Sequence, residues 1–274
     1  MTSSPKTQRR AHVLRAAGLA VLLTAAVAGC AANAEEGSGS FEPTLIKDGR
    51  LTVCTDTPYE PFEFKDKGQH VGFDIDLVDR VAERLELQPK VVDTDFDAIQ
   101  SGEALNSGEC DIAISAMTIT GDRARVLDFS SPYFNASQAL VVERGSSVDS
   151  LADLGGQKIA VQGGTTGELY VTDNAPDSAQ IVPLEDSAAM EEALRKGSVD
   201  AAVYDNTVVG DVIANNSRLG VAAEFDTGEQ YGMAVKKDGN VDLLRTINDV
   251  LADLQANGGY KKIYEKWFGA TPAA

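Results

Sequence analysis

The chain has 274 residues, of which 43% are hydrophobic, 24% charged and 6% aromatic. This is a globular composition, which excludes a collagen-like chain, a disordered chain and a small disulfide scaffold, and the length suits one large or two ordinary domains at roughly 150 residues each. Lys and Arg number 24 against 42 Asp and Glu, and the net charge of −18 repels nucleic-acid phosphates and anionic lipid headgroups, so no nucleic-acid partner is expected.

Residues 1–29 carry Lys6, Arg9, Arg10 and Arg15 and no acid, followed by an apolar run from Ala16 to Ala28 interrupted only by Thr24. That order is the one a secretory signal peptide needs, and the run is shorter than the roughly 20 residues that span a bilayer. It ends in Val27-Ala28-Gly29-Cys30, which resembles the bacterial lipobox, whose cysteine becomes the lipid-bearing first residue of the mature protein. The resemblance implies lipidation at Cys30 and attachment to the extracytoplasmic face of the cell membrane. Residues 30–44 are small and polar and read as a flexible tether. No later segment has the continuous apolar length of a membrane span.

Leu51–Thr55 reads as a buried strand, and Asp74 opens a helix with Leu77, Val78, Val81, Ala82 and Leu85 on one face. Lys90–Asp93 is a second strand, 98–107 a helix closed by Gly108, and Asp111–Ser115 a third strand, apolar enough to be covered on both faces. This βαβαβ unit predicts a parallel sheet with its ligand beyond the carboxyl ends of the strands. The scheme restarts after Ala139–Val142, with strands at 158–161, 180–182 and 200–203 and helices at 166–173 and 188–196. Two amphipathic helices, 241–256 and 260–267, close the chain.

Histidine is scarce. Beyond the leader only His70 remains, in a polar turn between Phe64 and Phe73 that reads as an exposed hairpin tip, so a Ser-His-Asp or Cys-His site is not expected. Cys30, Cys54 and Cys110 show no CxxC spacing and with His70 form no zinc pattern; neither a metal nor a cofactor is expected. If the strands holding Cys54 and Cys110 are neighbours with aligned carboxyl ends, the two cysteines sit about four residues out of step. At 3.3 Å per residue that is ~13 Å, beyond the ~7 Å limit of a bridge, and the expectation is two free thiols.

Gln162-Gly-Gly-Thr-Thr166 follows a strand and opens a helix, where free N–H groups and the helix dipole suit an anion; it lacks the Gly-Lys-Ser/Thr of a P-loop, so a carboxylate fits better than a nucleotide phosphate. Thr118 and Arg123 begin at a strand's carboxyl end, where a guanidinium can hold a carboxylate through two parallel bonds; the alternative is a surface Arg pairing with Asp122 or Asp128. Asp205 ends a strand of the second unit, where it can hold an ammonium or, alternatively, cap a helix beginning at Asn206.

The segments Asp56–Phe64 (DTPYEPFEF), Val71–Leu77 (VGFDIDL), Met117–Arg123 (MTITGDR), Asp128–Phe134 (DFSSPYF) and Gly259–Gly269 (GYKKIYEKWFG) together resemble family 3 extracellular solute-binding proteins, the receptors of polar amino acid ABC importers. The resemblance runs from about Leu45 to Gly269. It implies the type II periplasmic binding protein fold, two α/β lobes joined by two hinge crossings, with lobe 1 formed by 45–137 and 230–274 and lobe 2 by 138–229. It further implies that Arg123 clamps a ligand α-carboxylate with Thr118 and the backbone at Thr166, and that Asp205 takes the α-ammonium with the Ala116 carbonyl. By the same resemblance Tyr59 and Phe96 sandwich the ligand side chain, and Asp56 and Gln162 reach its polar tip.

The expected function is therefore a non-catalytic receptor that captures a basic amino acid or glutamine and delivers it to membrane permease subunits. Acidic Asp56 and Glu60 at the side-chain end disfavour glutamate and aspartate, and Glu60 tilts the choice toward a basic ligand. The same fold also hosts a cyclohexadienyl dehydratase-like enzyme, but that chemistry needs a positioned acid or base in the cleft, and the acids here are already matched to binding. A sensor ectodomain of a larger protein is disfavoured because nothing follows Ala274.

Overall fold

The computed structural model describes residues 43–269; the leader, Cys30 and the expected tether up to residue 42 lie outside the described residues. Two five-stranded sheets carry the fold. The first begins with β1 (Arg50–Thr55), buried from Leu51 onward. A hairpin of β2 (Phe64–Asp66) and β3 (Gln69–Val71) follows, and it leads into α1 (Phe73–Arg84) through Gly72. Glycine is required there: φ is 140°, and an added Cβ would lie 1.9 Å from the Phe62 carbonyl oxygen. His70 is in this hairpin, as read, but on β3 and half-buried rather than exposed at the tip.

β4 (Gln88–Asp93) pairs in parallel with β1. The helix expected over 98–107 is two short ones, α2 (Phe96–Gln100) and α3 (Glu103–Ser107), because Gly102 adopts a left-handed conformation between them. The expected strand at 111–115 shrinks to β5 (Ile112–Ala113). β6 (Leu127–Phe129) completes this stretch.

The shortness of β5 overturns the expectation of free thiols. Cys54 pairs with Ala113, close to the assumed alignment, but below Ile112 there is no strand for the 3.3 Å rise to apply to. Gly108 ends α3 in a left-handed conformation, the Glu109 N–H returns to the Ala104 carbonyl, and Cys110 is tucked against β1. Its Cα lies 5.6 Å from that of Cys54, and the two form a disulfide.

The second sheet holds β7 (Phe134–Glu143), β8 (Lys158–Gln162), β9 (Gln180–Leu184), β10 (Ala201–Asp205) and β11 (Leu219–Tyr231). Its helices are α4 (Thr166–Asn174), α5 (Ser187–Lys196) and α6 (Val209–Asn215). The chain then returns to the first sheet with β12 (Ala234–Lys236), followed by α7 (Val241–Asn257) and α8 (Gly259–Phe268).

Strand orders are β4-β1-β5-β12-β6 and β11-β7-β10-β8-β9. Neither sheet is purely parallel, because β12 and β7 run antiparallel to the βαβ strands beside them. The two crossings between sheets lie side by side: Tyr133 N–H donates to the Tyr231 carbonyl, and Ser130 N–H to that of Met233. Aromatic rings pack at this junction, with Phe62 and Phe134 centroids 5.0 Å apart and Phe73 and Phe134 5.3 Å apart. α8 is tied down there by Lys266 and Trp267, both of which donate to Asp76 of the GFDID segment.

Candidate functional site

The nine residues expected at a ligand site all line one cavity between the sheets. Asp56 and Tyr59 come from the loop after β1, Phe96 from the start of α2, and Ala116, Thr118 and Arg123 from the segment after β5. Gln162, Thr166 and Asp205 come from the carboxyl ends of β8 and β10 and the start of α4. The cavity offers about 40 Å³ to the centre of a water molecule, room for a few waters only, so the two walls already meet across it. Gln162 Nε2 donates to Asp56 Oδ2 at 2.7 Å, and Ser187 Oγ to the Pro58 carbonyl at 2.8 Å.

Arg123 is 5% exposed. Its Nη1 donates to the Thr118 carbonyl at 2.7 Å and its Nη2 crosses to the Gly164 carbonyl at 3.0 Å. Its guanidinium carbon lies 5.1 Å from the centre of the Phe96 ring, a cation–π contact. Asp122 pairs instead with Arg125 and Asp128 with Lys237, so the surface ion pair considered for Arg123 does not form. Burial lowers Arg123 to about 10, against the pull of Asp205 and Glu229, and the side chain remains a cation at neutral pH.

Asp205 accepts from Gln138 Nε2 at 2.6 Å and from the hydroxyls of Tyr231 and Tyr59. It caps no helix, since α6 starts at Val209 with Val208 at its N-cap. Burial and the Glu229 charge raise Asp205 to about 6, although its three hydrogen bonds favour the ionised form. Burial raises Asp56 to about 7, opposed by the Gln162 hydrogen bond.

The glycine-rich turn is partly self-satisfied. Glu168 accepts from the Gly164 N–H at 2.8 Å, and its own N–H donates to the Thr165 hydroxyl at 3.1 Å. This leaves Thr166 and Gly167, the first residues of α4, at the cavity wall with their helix-terminal N–H groups. Gly164 has φ +73°, a left-handed conformation that favours glycine, and an added Cβ would stand 2.2 Å from the Asp97 carboxylate across the cavity.

Sequence reasoning missed three features. Glu60 is exposed and absent from the cavity wall, so its predicted influence on the ligand fails. Glu229, 8% exposed, accepts from Thr118, Thr166, Gln138 and Thr227 directly behind that wall; these four bonds outweigh burial and hold its carboxyl below the ordinary range. The only trace in the sequence is Gly228-Glu229 interrupting the alternation of a strand. Glu63 and Asp74 are both 0% exposed, and burial raises both. Glu63 accepts from Ser115 Oγ at 2.7 Å, and Asp74 accepts from the Ala116 N–H at 2.9 Å. They thereby fix Ala116 at φ +41°, a conformation that persists only where its surroundings impose it.

Residues 51–270 match the family described as bacterial extracellular solute-binding proteins, family 3. The chain is 30% identical to the L-cystine-binding protein TcyJ of Escherichia coli (strain K12) over 264 residues, covering 95% of this chain and 97% of the relative. It is 33% identical to the ABC transporter glutamine-binding protein GlnH of Bacillus subtilis (strain 168), covering 93% and 95%. A solved structure of an ancestral arginine-binding protein bound to arginine is 42% identical with a TM-score of 0.76, covering 80% of this chain and 98% of that one. The architecture is accordingly the type II periplasmic binding protein fold, and these relatives are binding proteins rather than enzymes. On sequence and on structure alike, the chain belongs to the bacterial extracellular solute-binding proteins, family 3.

Proposed function

We propose that this protein captures a basic amino acid or glutamine between its lobes and delivers it to the permease subunits of an ABC importer, held at the extracytoplasmic membrane face by lipid on Cys30. One observation carries the reading: a single cavity contains a buried guanidinium, Arg123, and a half-buried carboxylate, Asp205, brought from opposite sheets. That pair matches the two charges of an amino acid zwitterion. Arg123, with Thr118 and the helix terminus at Thr166, takes the α-carboxylate; Asp205 and the Ala116 carbonyl take the ammonium. Tyr59 and Phe96 flank the side chain, and Asp56 with Gln162 reaches its tip.

Charge supports the ligand class. Among the charged residues lining the cavity, Asp56 and Asp205 face one cation, Arg123, with Glu229 close behind. A further carboxylate at the side-chain end meets uncompensated like charge, whereas a guanidinium or ammonium neutralises it and an amide can donate to Asp56. Residues 45–137 with 230–274, and residues 138–229, act as the two moving lobes, their boundaries falling within β7 and β11.

Loading the protein with an equimolar mixture of the twenty amino acids, removing free ligand and identifying what denaturation releases tests this directly. Arginine, lysine, histidine or glutamine, recovered chemically unchanged, is the expected result. Release of glutamate or aspartate, or of a transformed product, contradicts it.

A further inference from the structure

In the reading above Glu229 touches no ligand and only adds negative charge behind the cavity, yet its carboxylate accepts four hydrogen bonds there. Its position comes from a break in β-pairing. Phe225 lies opposite Gln138 and Glu229 opposite Ala136, so β11 spends four residues where β7 spends two, and Gly228 at φ +63° absorbs the turn. Irregularities of this kind re-aim side chains, and here the next residue is turned inward.

The carboxylate so placed has hydroxyl donors from both sides. Thr118 Oγ1, from the segment after β5, donates to Glu229 Oε2 at 2.6 Å; Thr166 Oγ1, at the start of α4, donates to the same oxygen at 2.6 Å. The other oxygen accepts from Gln138 Nε2 at 2.9 Å and Thr227 Oγ1 at 2.8 Å. Short hydroxyl–carboxylate bonds are charge-assisted, and a buried carboxylate is tolerated only when bonded in this way. Separating the lobes has to break the bond from Thr118 or the bond from Thr166, because one comes from each side.

We propose that Glu229 is a positioning residue, an interlobe latch that ties Thr118 and Thr166 together in the closed form. It leaves their backbone N–H groups, with Arg123, to hold the ligand carboxylate. What the clamp holds rests on the functional reading above; the latch rests on the bonds to Glu229. A residue that merely filled space would serve as well without its charge, whereas a latch needs an acceptor for two hydroxyls at once.

The test is a double-mutant cycle on binding, using L-arginine and L-glutamine as titrants and thermal melts to confirm folding. E229Q removes an acceptor while keeping shape, and T166V removes one hydroxyl while keeping volume. Each should weaken binding about 10-fold, the low end for losing a hydrogen bond to a charged group. The pair together should cost no more than about 10-fold, because both remove one interaction. Wild-type affinity in E229Q, or costs that multiply to about 100-fold, overturns the latch.

If neither amino acid binds wild type, the functional reading fails for these ligands and the latch is judged on closure alone. Fluorophores attached through bioorthogonal side chains at exposed Asn106 and Asp177 report the interlobe distance. A longer distance in ligand-free E229Q than in wild type supports the latch, and an unchanged distance overturns it.

Discussion

Asp56 and Asp205 differ from ordinary surface acids because burial holds their folded-state values near about 7 and about 6. In the unfolded chain both ionise near 4, so between pH 4 and 7 the folded state binds more protons. Their contribution to the stability of ligand-free protein is therefore complete below pH 4 and is lost as pH rises toward 7; Asp74, raised to about 7 by burial, acts in the same direction. An ammonium needs the Asp205 carboxylate, so affinity for an amino acid follows the opposite course and falls below pH 6. Melting curves with and without saturating L-arginine should show the gap between them narrowing from pH 7.5 to pH 5; a gap that widens toward acid pH contradicts this assignment. Thr118, Arg123, Gln162, Thr166 and Asp205 were legible from a predicted strand end or helix start, whereas Asp56, Tyr59, Phe96 and Ala116 followed only from the family resemblance. Glu229 was not, because its orientation depends on how β11 registers against β7, about 90 residues away in sequence.

At the level of elements, most helices and strands of both βαβ units were legible from periodicity and caps, as with Gly108 ending α3. What stayed hidden was set by partners. β11 falls in a stretch for which the sequence pattern assigned no element, and it is the longest strand among the described residues, paired with β7. The Cys54–Cys110 bridge was misread for a related reason: β5 is only two residues long, and before it the Asp111 carboxylate, accepting from the N–H groups of Thr52 and Ile46 at 2.8 Å each, holds the chain beside β1. The bridge closes a loop with a sequence separation of 56, which in the chain-entropy description contributes about 4 kcal/mol. Reduction should lower the melting temperature by about 8–16 °C, at 2–4 °C per kcal/mol for a domain of this size. Thiol counting on denatured, unreduced protein lacking residues 1–30 should find none free; two free thiols, or a melt insensitive to reductant, contradicts the assignment.

For the whole molecule, the proposal is a receptor held at the membrane through lipid on Cys30, and no helix of the described residues is long and apolar enough to cross a membrane. Cys30→Ser should move the protein from the membrane to the soluble fraction, since a diacylglyceryl group supplies the two chains that stable attachment needs. A variant that still sediments with membranes, beside a wild type that incorporates no labelled lipid, contradicts lipid anchoring. The proposed closure of the lobes on a zwitterion joins every scale, since only a closed form would set Arg123 and Asp205 on one ligand. A thermal-shift panel of the twenty amino acids, run on wild type and on Arg123→Ala, tests it most directly. At one hundred times its dissociation constant a ligand should stabilise wild type by about 2.7 kcal/mol. The largest shift should come from a basic amino acid or glutamine, with no shift in Arg123→Ala, which loses the carboxylate clamp; a largest shift from glutamate, or an Arg123→Ala variant that responds like wild type, contradicts closure on a zwitterion.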